Sequence, residues 1–257
     1  MKKKWSILLS MALCFGLLVG CAEETSVENK EMTLTFSYGE RTGKYTGEVQ
    51  NGIPNGYGKF ESANEKGTNW TYEGSFANGL FEGEGKTTWE DGTWQAGDYK
   101  AGDWQQNQWG LIATMEGMGT ITSTSDAIVF MKENKNLFPA ENAENLGEYL
   151  DESVEYKMII KEPQKYGATI VKLDNLYVNQ IQTFQPATDV ESKSTYFIAF
   201  DDDFNVYEFY MAQELPDVYA GDTLSVVYGI PVNTNSYEAA SGGFVNSLVI
   251  APCLVQK

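Results

Sequence analysis

The pattern of hydrophobic and polar positions changes several times along the chain. Ser6 to Val19 is almost unbroken apolar sequence behind Lys2, Lys3 and Lys4. From about residue 33 to Gly110, aromatic and polar positions alternate in short runs punctuated by glycine, which predicts strands. Leu111 to Ser125 continues the alternation, with Gly117 and Gly119 echoing the earlier glycines, and predicts one or two further strands. Ser123 to Lys135 predicts a short helix capped by Ser125 with Asp126 in its first turn. Phe138 to Asp151 is acidic, contains Pro139 and reads as a linker or weak helix. Tyr156, Ile159 and Ile160 share one helical face that ends near Pro163 and Gly167. Strand patterns then dominate: Ala168–Gln182, Thr195–Phe200, Val206–Met211, Gly221–Ile230 and Phe244–Val255. Asp174-Asn175 predicts a bulge in the first of these, because Asn tolerates a left-handed backbone.

The glycine-rich region repeats. Tyr45 is followed by Gly47, Gly52, Gly56 and Gly58; Tyr72 by Gly74, Gly79, Gly83 and Gly85 at the same four offsets. Val49 and Phe76 share the fourth position after each tyrosine. A worn third copy starts at Gln95, keeping Gly97, Tyr99 and Gly102 but placing Gln106 and Gln108 where the last two glycines would fall. Each copy reads as a hairpin. Asn51-Gly52 and Asn78-Gly79 are turn dipeptides, and the remaining glycines leave gaps into which neighbouring aromatic rings fit. A single hairpin cannot bury its own face, so the copies must stack.

This spacing resembles the MORN repeat, with two full matches and a partial one over roughly residues 33–110. The resemblance implies an elongated, twisted sheet of hairpins. It also implies scaffolding, self-association or membrane-proximal attachment rather than catalysis. The last five strands and their preceding helix, residues 155–257, resemble an OB-fold barrel, and in particular the OB-like domains attached to bacterial lipoproteins. Gly221-Asp222 before one strand and Tyr228-Gly229 after it carry that likeness best. Barrels of this class bind oligonucleotides, oligosaccharides or proteins on one face, and the fold does not choose among them.

The N-terminus adds an address. Its apolar run is shorter than the ~20 residues of a membrane-spanning helix, and Leu18-Val19-Gly20-Cys21 resembles the lipobox of bacterial lipoproteins. The resemblance implies cleavage before Cys21 and acylation of that cysteine, hence a lipid anchor on the extracytoplasmic face of the cell membrane. The expected organisation is a signal peptide (1–20), a tether (21–32), the repeat region (33–122), a helical and acidic linker (123–154) and the barrel (155–257).

Composition then narrows the chemistry. The chain has 18 basic and 36 acidic residues. Residues 1–20 hold three of the lysines and no acid, so the remainder carries 15 basic against 36 acidic residues, a net charge of −21. That balance argues against nucleic acid, whose binding needs basic contacts to phosphate. There is no histidine, which excludes Ser-His-Asp and Cys-His catalysis and histidine metal ligation. With Cys14 in the signal and Cys21 acylated, Cys253 stands alone among apolar residues and reads as a buried, inert thiol.

Three further constellations bear on function. Asp201-Asp202-Asp203 and Asn205 offer hard oxygens for calcium, but the Gly and bidentate Glu of an EF-hand loop are missing, so no metal is expected. Glu73, Glu82, Glu84, Glu90 and Asp91 could in principle supply a glycosidase pair, yet the repeat already accounts for their outward positions. Tryptophans and tyrosines are dense in the repeats. Most are expected in the core, with Trp89, Trp94, Trp104 and Trp109 the candidates for a ligand-binding surface. The expectation is a mainly β, non-catalytic interaction or scaffold module without a cofactor, its partners the membrane lipid and another envelope protein. A carbohydrate-binding surface module is the alternative, and a carboxylate-based polysaccharide hydrolase the second.

Overall fold

The computed structural model describes residues 24–186, 192–238 and 242–257. The apolar segment behind the lysines, and Cys21 with it, lie outside the described residues. Among the described residues, no helix is long and apolar enough to cross a membrane.

The repeats form an antiparallel sheet in simple sequential order: β1 (Glu24–Phe36), β2 (Gly39–Gln50), β3 (Ile53–Ala63), β4 (Asn69–Ala77), β5 (Leu80–Trp89), β6 (Trp94–Lys100) and β7 (Asp103–Gln105). Its register explains the glycine spacing. Gly47 faces Gly58, Gly58 faces Gly74, Gly74 faces Gly85 and Gly85 faces Gly97. The result is a row of glycines running across five strands. Aromatic rings lie along it. A β-carbon on Gly58 would sit 2.4 Å from the Tyr45 hydroxyl, one on Gly85 2.3 Å from the Tyr72 hydroxyl, and one on Gly97 2.1 Å from Trp104 Nε1. The rings need that space because each hydroxyl reaches past the row to a carbonyl three residues on, Tyr45 donating to Glu48 O and Tyr72 to Ser75 O. Tyr45, Phe60 and Tyr72 are fully buried in this face. Tyr72 and Phe81 stack at 3.7 Å, and Tyr45 and Phe76 meet edge to face at 5.1 Å.

The sheet is strongly curled. Phe36 of β1 packs on Phe81 of β5, four strands away, at 4.8 Å between ring centroids. Ser37, just after β1, donates to the Asp103 carboxylate in β7. The first and last hairpins therefore meet, and the sheet becomes a trough. β1 begins at Glu24, inside the segment expected as a tether, and pairs along β2 from Glu24–Gln50 to Phe36–Gly39. Its charged, alternating sequence suits an edge strand, where polar side chains face water.

Residues 111–117 are the main correction to the strand expectation. They belong to a helix, α1 (Gln108–Gly117), capped by the Asn107 side chain, which accepts from Gly110 N. Glu116 is the one residue of α1 outside the core. A helix buried on all sides has no polar face to give it a 3.6-residue period. Its glycines permit close approach: a β-carbon on Gly117 would lie 2.0 Å from Trp94 O. The next helix, α2 (Ser125–Glu133), is capped by Thr124 rather than Ser125, through Ala127 N. The segment expected as an acidic linker holds 3₁₀ turns at Lys135–Leu137 and Ala143–Leu146 that bury Leu137 and Leu146.

A short helix, α3 (Tyr156–Lys161), and a 3₁₀ turn at Pro163–Tyr166 precede a closed barrel. Its strands are β8 (Val171–Phe184), β9 (Ser194–Phe200), β10 (Val206–Met211), β11 (Thr223–Glu238) and β12 (Phe244–Gln256), in the order β10-β12-β11-β8-β9. β10 and β12 run parallel and the other four pairings are antiparallel. This is the expected OB-like five-stranded barrel. Ile159 of α3 and Tyr166 join Phe197, Phe209, Leu224 and Ile250 in its interior. Asn175 does adopt a left-handed backbone (φ 53°), but the pairing of β8 with β11 stays in step on either side of it. The register slip in β8 falls instead against β9, between Val178 and Gln180. β11 also continues past Tyr228-Gly229, with its register shifting there and at Pro231/Asn233.

Repeat sheet and barrel share a core. Leu111, Ile112 and Met115 of α1 and Phe130 and Met131 of α2 pack with Tyr210, Val249 and Cys253 on the outer barrel wall.

Candidate functional site

The curled sheet leaves a cavity of about 640 Å³ in its trough. Phe81 and Tyr99, both buried, form part of its lining, and the Tyr99 hydroxyl hydrogen-bonds Thr87 at 3.0 Å. Trp70 and Trp89, half-buried, face each other across the β4–β5 ladder. Tyr38 and Arg41 contribute from the first hairpin, and Gln95 from β6. Met118 from the end of α1 and Gln185 and Pro186 from the end of β8 complete the lining, so the barrel side of the molecule closes part of the trough. The volume falls within the about 300–1,000 Å³ typical of small-ligand sites, which likewise combine apolar walls with a few placed polar groups.

The four tryptophans singled out in the sequence separate. Trp89 lines the cavity. Trp104 is buried, with Nε1 donating to Ala96 O. Trp109 is buried under the Lys132 ammonium, 4.3 Å from the ring centroid. Trp94 is half-buried against Gly117 beneath Lys86. Trp104 and Trp109 are thus core residues and not a binding surface. The reason is that the worn third repeat ends the sheet and meets α1. Tyr38, Arg41 and Gln95 had no sequence signal as site residues, because only the curl of the sheet brings the first hairpin over β5 and β6.

The repeat-motif residues are architectural. Tyr45 and Tyr72 with Gly47, Gly58, Gly74 and Gly85 form the ring-and-glycine row. Gly52 and Gly79 occupy left-handed turn positions after Asn51 and Asn78, and Gly56 and Gly83 also have positive φ. Burial pushes the Tyr45 hydroxyl up to about 12, with Glu48 adding to the shift, and raises Tyr72 further.

The acidic residues of the repeats serve separate local contacts. Glu82 accepts from Ala101 N, Glu84 pairs with Lys132, Glu90 accepts from Asn69, and Asp91 from Thr93. At the β9–β10 turn the Asp201 carboxylate accepts from Asp203 N, both nitrogens of Asn205, and the Tyr207 hydroxyl. Asp201 organises its own turn. Among the described residues no group of three or more His, Cys, Asp or Glu side chains is placed to hold a metal ion. Cys253 is fully buried and its thiol is pushed well above the ordinary range by desolvation.

The MORN repeat family model matches residues 45–65 and 72–94. These spans contain both full copies of the repeat, and they supply all of β3 and β5, most of β4 and the end of β2. No curated protein and no solved structure matches the chain.

Proposed function

From these MORN repeats and the trough they form, we propose that the chain is a membrane-anchored, extracytoplasmic, non-catalytic binding and scaffold module. Acylated Cys21 holds it to the membrane surface, only a few residues before β1. The repeats and the OB-like domain form one body that presents the trough. The aromatic cavity at the meeting of repeat sheet and barrel carries this reading. It is a concave, partly closed site with rigid walls, built by the same register that builds the fold.

An envelope protein is one partner for such a module. The carbohydrate reading has a specific observation in its favour: flat aromatic faces beside planar amides, in a cavity of small-ligand size rather than on a broad flat surface. The test uses the full chain as bait against detergent-solubilised envelope and a glycan array, beside Trp89→Ala. Specific capture that the substitution abolishes supports the trough. Equal capture by both proteins refutes it.

A further inference from the structure

The cavity has a charge pattern opposite to that of the chain. Acidic residues outnumber basic ones 36 to 18, yet among the described residues no Asp or Glu lines the cavity. The one arginine in the sequence, Arg41, does. Its guanidinium is positioned rather than loose. Nη1 donates to Glu40 O at 2.8 Å, and the group lies 5.3 Å from the centroid of the Tyr38 ring. Its carboxylate partner is weak: Nη2 is 3.5 Å from Glu65, whose side chain is 81% exposed. An entering anion could replace that long, solvent-facing contact with a bidentate one, the geometry guanidinium favours.

An independent observation comes from β6. Gln95 lines the same cavity and is 6% exposed. Its Nε2 is buried with no hydrogen-bond partner. Native proteins rarely leave such a donor unmatched, and a bound acceptor is one explanation. The cavity therefore presents a cation and aromatic faces, with an unmatched amide donor held within its wall.

On the reading that the trough is the ligand site, we propose that it takes a short saccharide bearing a carboxylate. A sugar ring stacks on Trp89 and Trp70, the carboxylate sits on Arg41, and a rotation of the Gln95 amide out of the wall lets Nε2 donate to a ring hydroxyl or amide carbonyl. A single arginine in a mainly apolar cavity suits a monoanion better than a phosphate monoester, which carries a charge of about −1.5 to −2 at neutral pH. Asn64, Thr87 and Gln185 add polar side chains to the lining, which suits a ligand bearing hydroxyls better than a purely apolar body.

The test is calorimetric titration of the full chain with cellobiouronic acid and with cellobiose, which share a ring body and differ in the carboxylate. The acidic sugar should bind at least tenfold more tightly, and Arg41→Gln should abolish that difference. Gln95→Glu, which sets a negative charge in the cavity while leaving Arg41 in place, should weaken the acidic sugar more than the neutral one. Equal binding of the two sugars, or a preference that survives Arg41→Gln, overturns the inference. Absence of binding by either sugar also overturns it. The trough reading stands or falls separately, on whether Trp89→Ala abolishes capture from envelope or array.

Discussion

Gly85→Ala tests whether the glycine row is a seat for aromatic rings. The new β-carbon would lie 2.3 Å from the Tyr72 hydroxyl and 2.5 Å from Cε2 and Cζ of the same ring. The ring has little room to retreat. Tyr72 is fully buried, stacks on Phe81 at 3.7 Å, and donates to Ser75 O at 3.0 Å. Overpacking of this kind costs ~1–3 kcal/mol, and displacing the hydroxyl from its acceptor adds ~0.5–1.5 kcal/mol. Together the expected loss is about 2–4 kcal/mol. Gly147→Ala is the control. Gly147 has helical angles (φ −53°, ψ −32°) and would place its β-carbon 3.5 Å from Glu144 O, an ordinary contact. Such a substitution is neutral or stabilises by ~0.4–1 kcal/mol through the unfolded chain. Urea unfolding followed by circular dichroism measures both. A Gly85→Ala midpoint equal to that of the parent, or a Gly147→Ala loss as large as that at Gly85, would refute the packing account.

Other consequences can be measured directly. Gln108 is buried, donating to Tyr210 O at 2.7 Å and accepting from Ala212 N at 3.1 Å. Gln108→Ala leaves both backbone groups unmatched, should cost about 2–4 kcal/mol, and should speed hydrogen exchange at the Ala212 amide; unchanged exchange there would count against the clamp. The Tyr45 hydroxyl, pushed up to about 12 chiefly by burial, has its folded pKa above the ordinary 10.0. Its contribution is therefore complete below pH 10 and lost as pH rises through that window toward 12. Phenolate absorbance should show late-ionising tyrosines whose titration tracks alkaline unfolding, and titration of all tyrosines near 10 in the folded protein would refute this. Cys21→Ala should move the chain from the membrane fraction to the medium, and retention in the membrane would defeat the lipid anchor.

What the sequence made legible follows from where periodicity survives burial. The hairpins were readable because one face of each strand is aromatic or glycine and the other polar, and because Asn-Gly marks the turn of each full repeat. The five barrel strands were readable for a related reason: short β-branched and aromatic runs lie between clear turn signals. α1 was not, since its buried circumference erases the helical period and leaves an apolar run that fits a strand equally well. β1 was not, because Glu24, Glu28, Lys30 and Glu31 on an edge strand have the composition of a tether. The site was only partly legible. Trp89 was visible as an aromatic in a repeat, whereas Arg41 and Gln95 are 54 residues apart and meet at the cavity only because the sheet curls.

The worn third repeat explains how that cavity is held. At positions where the earlier copies carry glycine, the third carries Gln106 and Gln108. In the earlier copies Gly58 and Gly85 admit a ring while Gly56 and Gly83 take a positive φ, and here no further hairpin follows to need either. The glutamine side chains reach the barrel instead. Gln106 Nε2 donates to Lys193 O and Ala212 O, while Gln108 brackets Tyr210 and Ala212. These four bonds join the end of the repeat sheet to β10 and to the start of β9. Beside them α1 runs from the Asn107 cap to Met118, and β8 ends at Gln185 and Pro186; these are the residues that complete the cavity from the barrel side. The departure from the repeat pattern is thus the joint that fixes the trough against its closing wall. Gln108→Ala should therefore also weaken any ligand that Trp89→Ala weakens, although Gln108 does not line the cavity.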